Sequence, residues 1–147
     1  MKILVGIDLS DSTEKIILKV EEIAKALSAK LWLLHVAEPD PDFVGYKTGP
    51  QSVRDSISKE FHTEHYQIQE IAKRLRVAGL ETTALLMQGI AVDTILKEAS
   101  KLNVDLIVIG SHGRGAIYQL LVGSVCEGIL HKSEFPILVI PTHERST

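Results

Sequence analysis

The chain has 147 residues, room for one compact domain spanning 1–147 and too few for two of ordinary size. Hydrophobic residues at 45% and charged residues at 24% describe a folded globular protein and exclude a disordered or collagen-like one. The net charge is −3, with 16 basic and 19 acidic residues scattered along the chain and aromatics at 5%, so neither a phosphate-neutralising face nor a base-stacking platform for nucleic acid is expected.

In chain order, residues 3–7 (Ile3-Leu4-Val5-Gly6-Ile7) form the first expected strand, nearly continuous in apolar residues as a strand buried on both faces should be. Ile16, Ile17, Val20, Ile23, Ala24 and Leu27 then recur at spacings of three and four, which predicts an amphipathic helix. Asp11, with Glu14 three residues later, resembles a capping box ahead of it. Residues 31–36 are the second strand. Residues 38–50 carry Pro39, Pro41, Gly45, Gly49 and Pro50 without periodicity and are expected to be a mobile loop. Val53, Ile57, Phe61, Ile68, Ile71, Ala72 and Leu75 mark a long helix with a gap near His65, closed by Gly79 as a left-handed cap. Residues 82–87 are the third strand, Val92, Ile95, Leu96, Ala99 and Leu102 the next helix, and residues 106–109 the fourth strand. Ile117, Leu120, Leu121, Val125 and Ile129 mark a fourth helix, and residues 137–140 a fifth strand.

Strand and helix alternating throughout imply right-handed βαβ units, hence an α/β protein with an open five-stranded parallel sheet and helices on both faces. Pro136 and Pro141 bracket the last strand, and proline is confined to strand starts and edges because it cannot donate to the ladder. Ile137, Leu138, Val139 and Ile140 should therefore lie on an edge, where a second copy of the chain is the simplest cover, giving a homodimer. No apolar run approaches the roughly 20 residues of a membrane span, and the N-terminal apolar stretch is too short for a signal peptide. The single cysteine, Cys126, cannot form an internal disulfide and fits a reducing, cytoplasmic setting as a small core residue.

Ligands of open α/β sheets sit beyond the carboxyl ends of the strands, which directs attention to Asp8 after the first strand, Val36 at the end of the second, and Gly110-Ser111-His112-Gly113-Arg114-Gly115 after the fourth. Glycines there let backbone approach a ligand closely, and their amides can face an anion. A second glycine site, Gly123-Ser124, interrupts the apolar helix pattern at a cost of roughly 1 kcal/mol relative to alanine. A tight turn explains either site alone; their fixed separation is not explained that way.

Gly110-x-x-Gly113, nine residues, then Gly123-Ser124 resembles the nucleotide-binding signature of the universal stress protein family, and the likeness extends over nearly the whole chain. Ile3-Leu4-Val5-Gly6-Ile7-Asp8 and Pro136-Ile137-Leu138-Val139-Ile140-Pro141 look like that family's first and last strands. The resemblance implies a Rossmann-like sheet of order 3-2-1-4-5, bound ATP in the ATP-binding subgroup, and a dimer through the last strand. It also implies roles: Asp8 and the Val36 main chain beside adenine, Ile109 and Gly110 near adenine and ribose, and Gly113, Gly123, Ser124 and Val125 around the phosphates, with Arg114 adding charge. Asp8 has a competing reading as the carboxylate that caps the turn into the first helix. Any Mg²⁺ would be held mainly by phosphates and water.

Other chemistries lack their parts. No G-x-x-x-x-G-K-[ST] loop occurs, the position that would complete a dinucleotide fingerprint from Gly113 holds Tyr118, and no G-x-S-x-G elbow exists. Asp8-Leu9-Ser10 lacks the second aspartate of an aspartyl phosphotransferase. His62 and His65 share a predicted helix without further ligands, which favours a solvated face over a metal site. The expected function is a nucleotide-dependent regulator or sensor in the stress response, without catalytic residues. The alternatives are a slow ATP hydrolase or a nucleotidyl transferase on a related fold, and an interaction protein that binds no nucleotide. His112 is the one residue near the expected phosphates that could orient water; a packing or hydrogen-bonding role is favoured for it.

Overall fold

A computed structural model describes residues 1–37, 51–112 and 123–142, with the backbone alone at 51–58. Strand β1 (Lys2–Gly6) leads through helix α1 (Thr13–Leu27) to β2 (Lys30–Ala37), and α2 (Gln51–Val77) precedes β3 (Thr82–Gln88). Then come α3 (Ala91–Leu102), β4 (Leu106–Gly110), α4 (Ser124–Lys132) and β5 (Ile137–Ile140). The five strands form one sheet in the order β3-β2-β1-β4-β5, and all four pairings are parallel. Both the architecture and the strand order match the expectation, and β5 is an edge strand.

Alternation along each strand separates the core into two layers. Ile3, Val5, Leu31, Leu33 and Val108 face α1 and α2, where Ile17, Val20, Ala24, Ile68, Ala72 and Leu75 cover them. Leu4, Trp32, Leu34, Ile107 and Ile109 face the other way, toward Ile95 and Ala99 of α3 and Cys126 and Ile129 of α4. Each side chain of this size taken fully out of water stabilises the fold by about 1.5–3 kcal/mol, so the near-continuous apolar runs are used on both faces. Cys126 is a core residue, as expected, and burial pushes its thiol up from its ordinary range. No helix among the described residues is long and apolar enough to cross a membrane.

Helix α2 runs without a break through the gap in its apolar pattern, and His62 and His65 are exposed there. Beyond α2, Gly79 takes φ +94°, and the amides of Gly79 and Leu80 close back onto the carbonyls of Arg76 and Leu75 at 2.9 and 3.0 Å. Two expectations need correction. The capping box at Asp11 and Glu14 does not form: the cap of α1 is Ser12, without a side-chain cap bond, and Glu14 instead pairs with Arg74 at 3.0 Å. Ser12 already has helical dihedrals (φ −73°, ψ −16°), because the Thr13 amide bonds to the Ser10 carbonyl at 3.0 Å and winds the chain directly into the helix. The fourth helix does not run through Gly123; α4 begins at Ser124, with Gly123 as its extended cap (φ −73°, ψ 161°), so these two residues start a helix. Ile117, Leu120, Leu121 and the loop expected at 38–50 lie outside the described residues.

Candidate functional site

Strand β1 sits between β2 and β4, so the chain's progress across the sheet reverses beside it. Val5 is level with Val108, and the segments that follow, Ile7-Asp8 and Gly110-Ser111-His112, leave the sheet at the same end of adjacent strands. That is where a crevice opens in a sheet of this order.

On the β1 side, the Asp8 Oδ1 accepts hydrogen bonds from the Ser10 amide at 3.0 Å and hydroxyl at 2.6 Å, with the Thr13 hydroxyl at 3.5 Å. The carboxylate thus organises the turn into α1, the competing reading of this residue. Leu9, next to it, is held at φ +59°, a conformation costing a leucine roughly 1–2 kcal/mol. The Leu34 carbonyl accepts the Ile7 amide at 2.9 Å, and by the two-residue period of a strand the main-chain groups of Val36 turn to that same side. His35, buried beneath, bridges two elements: its Nδ1 meets the Ile7 carbonyl at 2.9 Å and its Nε2 meets the Glu64 carboxylate of α2.

On the β4 side, Ile109 is buried in the core against α3 and α4, so only its main chain can reach a ligand. Gly110 is packed so closely that a Cβ would stand 2.9 Å from both Ile16 Cδ1 and Thr142 Cγ2. The Ser111 carbonyl accepts the Gly123 amide at 2.7 Å. This one bond brings the two halves of the glycine signature together: it seats the start of α4 against the end of β4. Beyond it, the first helical amide to bond back is that of Glu127, onto the Gly123 carbonyl at 2.9 Å. Glycine offers no side-chain cap, so the amides of Ser124, Val125 and Cys126 are the opening donors of α4. Ser124 and Val125 are exposed. Gly113 and Arg114 lie outside the described residues.

The sequence reading missed Thr142. This residue follows the edge strand, is buried, and grips the residues after β4 with hydrogen bonds to both Ser111 and His112. Its amide donates to Ser111 Oγ at 3.0 Å, while its hydroxyl accepts the His112 amide at 3.1 Å and donates to the His112 carbonyl at 2.9 Å. Ser111 Oγ also contacts His112 Nδ1 at 3.0 Å, and the Ser111 amide donates to the Ile140 carbonyl at 2.8 Å. His112 is therefore part of a buried polar knot, the hydrogen-bonding role favoured for it. A lone threonine after a proline carries no periodic signal that would mark it in the sequence. Among the described residues no group of three or more His, Cys, Asp or Glu is arranged to hold a metal ion.

The family profile of universal stress proteins matches residues 1–141. The chain belongs to the universal stress protein family. Among its relatives, the universal stress protein MJ0577 of Methanocaldococcus jannaschii is 31% identical over 153 residues, 95% of this chain and 93% of that one. Universal stress protein YxiE of Bacillus subtilis is 31% identical over 144 residues, 95% and 97% of the two chains. The solved structure of MJ0577 superposes with a TM-score of 0.82 at 27% identity, covering 99% of this chain and 97% of that one. A universal stress protein solved in complex with cAMP shares the fold at a TM-score of 0.71 and 24% identity, covering 97% and 98%.

Proposed function

We propose that this universal stress protein holds an adenine nucleotide, ATP foremost, at the carboxyl ends of β1 and β4, and acts as a nucleotide-dependent regulator or sensor in the stress response. The observation that carries the reading is the bond from the Gly123 amide to the Ser111 carbonyl, which leaves the opening amides of α4 beside the end of β4. Amides at a helix start, with its partial positive charge, suit phosphate oxygens, and the exposed Ser124 hydroxyl adds a donor. The cAMP complex formed by a protein of the same fold is consistent with this ligand class. In this reading Gly113, Gly123, Ser124 and Val125 surround the phosphates, Arg114 lends charge, and Mg²⁺ is held mainly by phosphates and water. Asp8 and the main chains of Val36, Ile109 and Gly110 meet the nucleoside.

The same reading makes the protein a cytoplasmic homodimer through β5 and a holder of nucleotide more than a turnover enzyme. Phosphoryl transfer needs cations on the transferred group and a residue that orients the attacking water. His112, the candidate for that second part, has its Nδ1 against Ser111 and its main chain gripped by Thr142. Amides that hold ground and transition states equally improve binding without lowering the barrier. Phosphate release is accordingly expected below about 1 s⁻¹.

Calorimetry with MgATP on the intact chain and on Gly123→Val tests the site. The extended backbone of Gly123 accepts valine, so the variant should keep its circular dichroism while its ATP affinity falls by about 100-fold or more, as phosphate space is filled. Unchanged affinity in the folded variant, or a native chain that takes no adenine nucleotide, would remove the proposal.

A further inference from the structure

The edge strand β5 is the proposed pairing surface and the glycine segment the proposed ligand site. Here the β4–β5 ladder and one buried side chain, Thr142, join them. Thr142 lies two residues past β5, and through its amide and hydroxyl it holds Ser111 and His112, the residues that lead from β4 into Gly113. The Ser111 amide is bonded back to Ile140, the last residue of β5, and the Ser111 carbonyl to Gly123, the cap of α4. A continuous path of hydrogen bonds therefore runs from the edge strand to the helix start: Ile140 and Thr142, then Ser111, then Gly123. Its members are close-fitting as well as bonded, since the Thr142 methyl stands 2.9 Å from where a Cβ on Gly110 would be.

We infer that Thr142 is a positioning residue that couples occupancy of the nucleotide site to the order of edge strand β5. The inference rests on the nucleotide reading above and adds its regulation. Thr142 touches no nucleotide in this scheme. Its hydroxyl accepts from the amide and donates to the carbonyl of His112, so it fixes the direction in which the chain leaves β4. A ligand held by the amides of α4 favours the arrangement in which Gly123 stays on Ser111. That arrangement in turn favours Ser111 on Thr142 and Ile140, and therefore a well-ordered β5. By linkage the relation is reciprocal: whatever pairs with or covers β5 raises nucleotide affinity by the same factor. The output of such a protein would be read at its edge strand.

Two substitutions separate the hydroxyl from the methyl. Thr142→Val keeps the shape and loses both bonds to His112; Thr142→Ser keeps the bonds and loses the methyl. ATP affinity by calorimetry should fall about tenfold in Thr142→Val, the equivalent of about 1.4 kcal/mol, and stay within about twofold of native in Thr142→Ser. Amide hydrogen exchange followed by NMR on the whole chain supplies the readout that a merely structural role would not move. ATP should slow exchange at Val139, Ile140 and Thr142 by about tenfold in the native chain and in Thr142→Ser. In Thr142→Val, at saturating ATP, the slowing should remain at 124–126 and vanish from β5. Native-like affinity and β5 protection in Thr142→Val would overturn the coupling, as would a native chain that binds ATP with no change at β5; in both cases the nucleotide site would stand. A native chain that binds no adenine nucleotide would instead bring down the site and the coupling with it.

Discussion

Gly110→Ala places one methyl group at the tightest point of the site, and its cost can be worked from the neighbours. The new Cβ would lie 2.9 Å from Ile16 Cδ1 and 2.9 Å from Thr142 Cγ2. The first is the free end of a long side chain and can rotate away. The second cannot move alone, because the Thr142 hydroxyl on the same Cβ is bonded to the His112 amide and carbonyl. Turning the methyl aside breaks those bonds, at about 1 kcal/mol each; keeping them forces an overpacked contact of about 1–3 kcal/mol. Alanine returns about 0.4–1 kcal/mol by restricting the unfolded chain. The net destabilisation should be about 2 kcal/mol, or about 6 °C in Tm for a chain of this size. Urea unfolding monitored by circular dichroism measures it. Thr142→Ser alone should cost about 1 kcal/mol for its lost methyl, but combined with Gly110→Ala it removes the clash, so the double variant should be more stable than Gly110→Ala. Costs that add to within about 0.5 kcal/mol would refute the steric account.

Three further outcomes follow from the described geometry. Val139→Lys should weaken the proposed β5 homodimer at least about tenfold in sedimentation; a native chain that is monomeric at micromolar concentration, or an undisturbed variant dimer, would count against that interface. His35→Leu should cost about 2–3 kcal/mol in urea unfolding, since it leaves the half-buried Glu64 carboxylate and the Ile7 carbonyl without the imidazole between them, and a loss under about 0.5 kcal/mol would show that the bridge contributes little. Cys126 is 2% exposed and its thiol is raised by burial, so at pH 8 an aromatic disulfide reagent should react at least about 100-fold slower with the native chain than with the denatured one. Because the raised thiol ionises only as pH climbs, native reactivity should increase toward pH 10; equal native and denatured rates at pH 8 would place the sulfur outside the core.

What the sequence by itself determined is the order and type of the elements and the two layers of the core. Strands buried on both faces read as unbroken apolar runs such as Leu106 to Ile109, helices read as three-and-four spacings such as Ile16 to Ala24, and their alternation leaves few ways to close a parallel sheet. Pro136 and Pro141 placed β5 on the edge because a missing amide donor is a local fact. Two glycines were legible as places of close backbone approach: Gly110, packed against Ile16 and Thr142, and Gly123, whose amide meets the Ser111 carbonyl. Contacts between residues distant in the chain were not legible. Asp8 had two readings until Ser10 and Thr13 folded onto it, and the expected box at Asp11 and Glu14 lost to a tighter turn whose helical dihedrals at Ser12 leave no cap to make. Thr142 meets His112 across 30 positions of sequence, and His35 meets Glu64 across 29, with no period or motif to announce either pair. Such partners are chosen by where the sheet and helices carry the chain, so only the tertiary structure decides them.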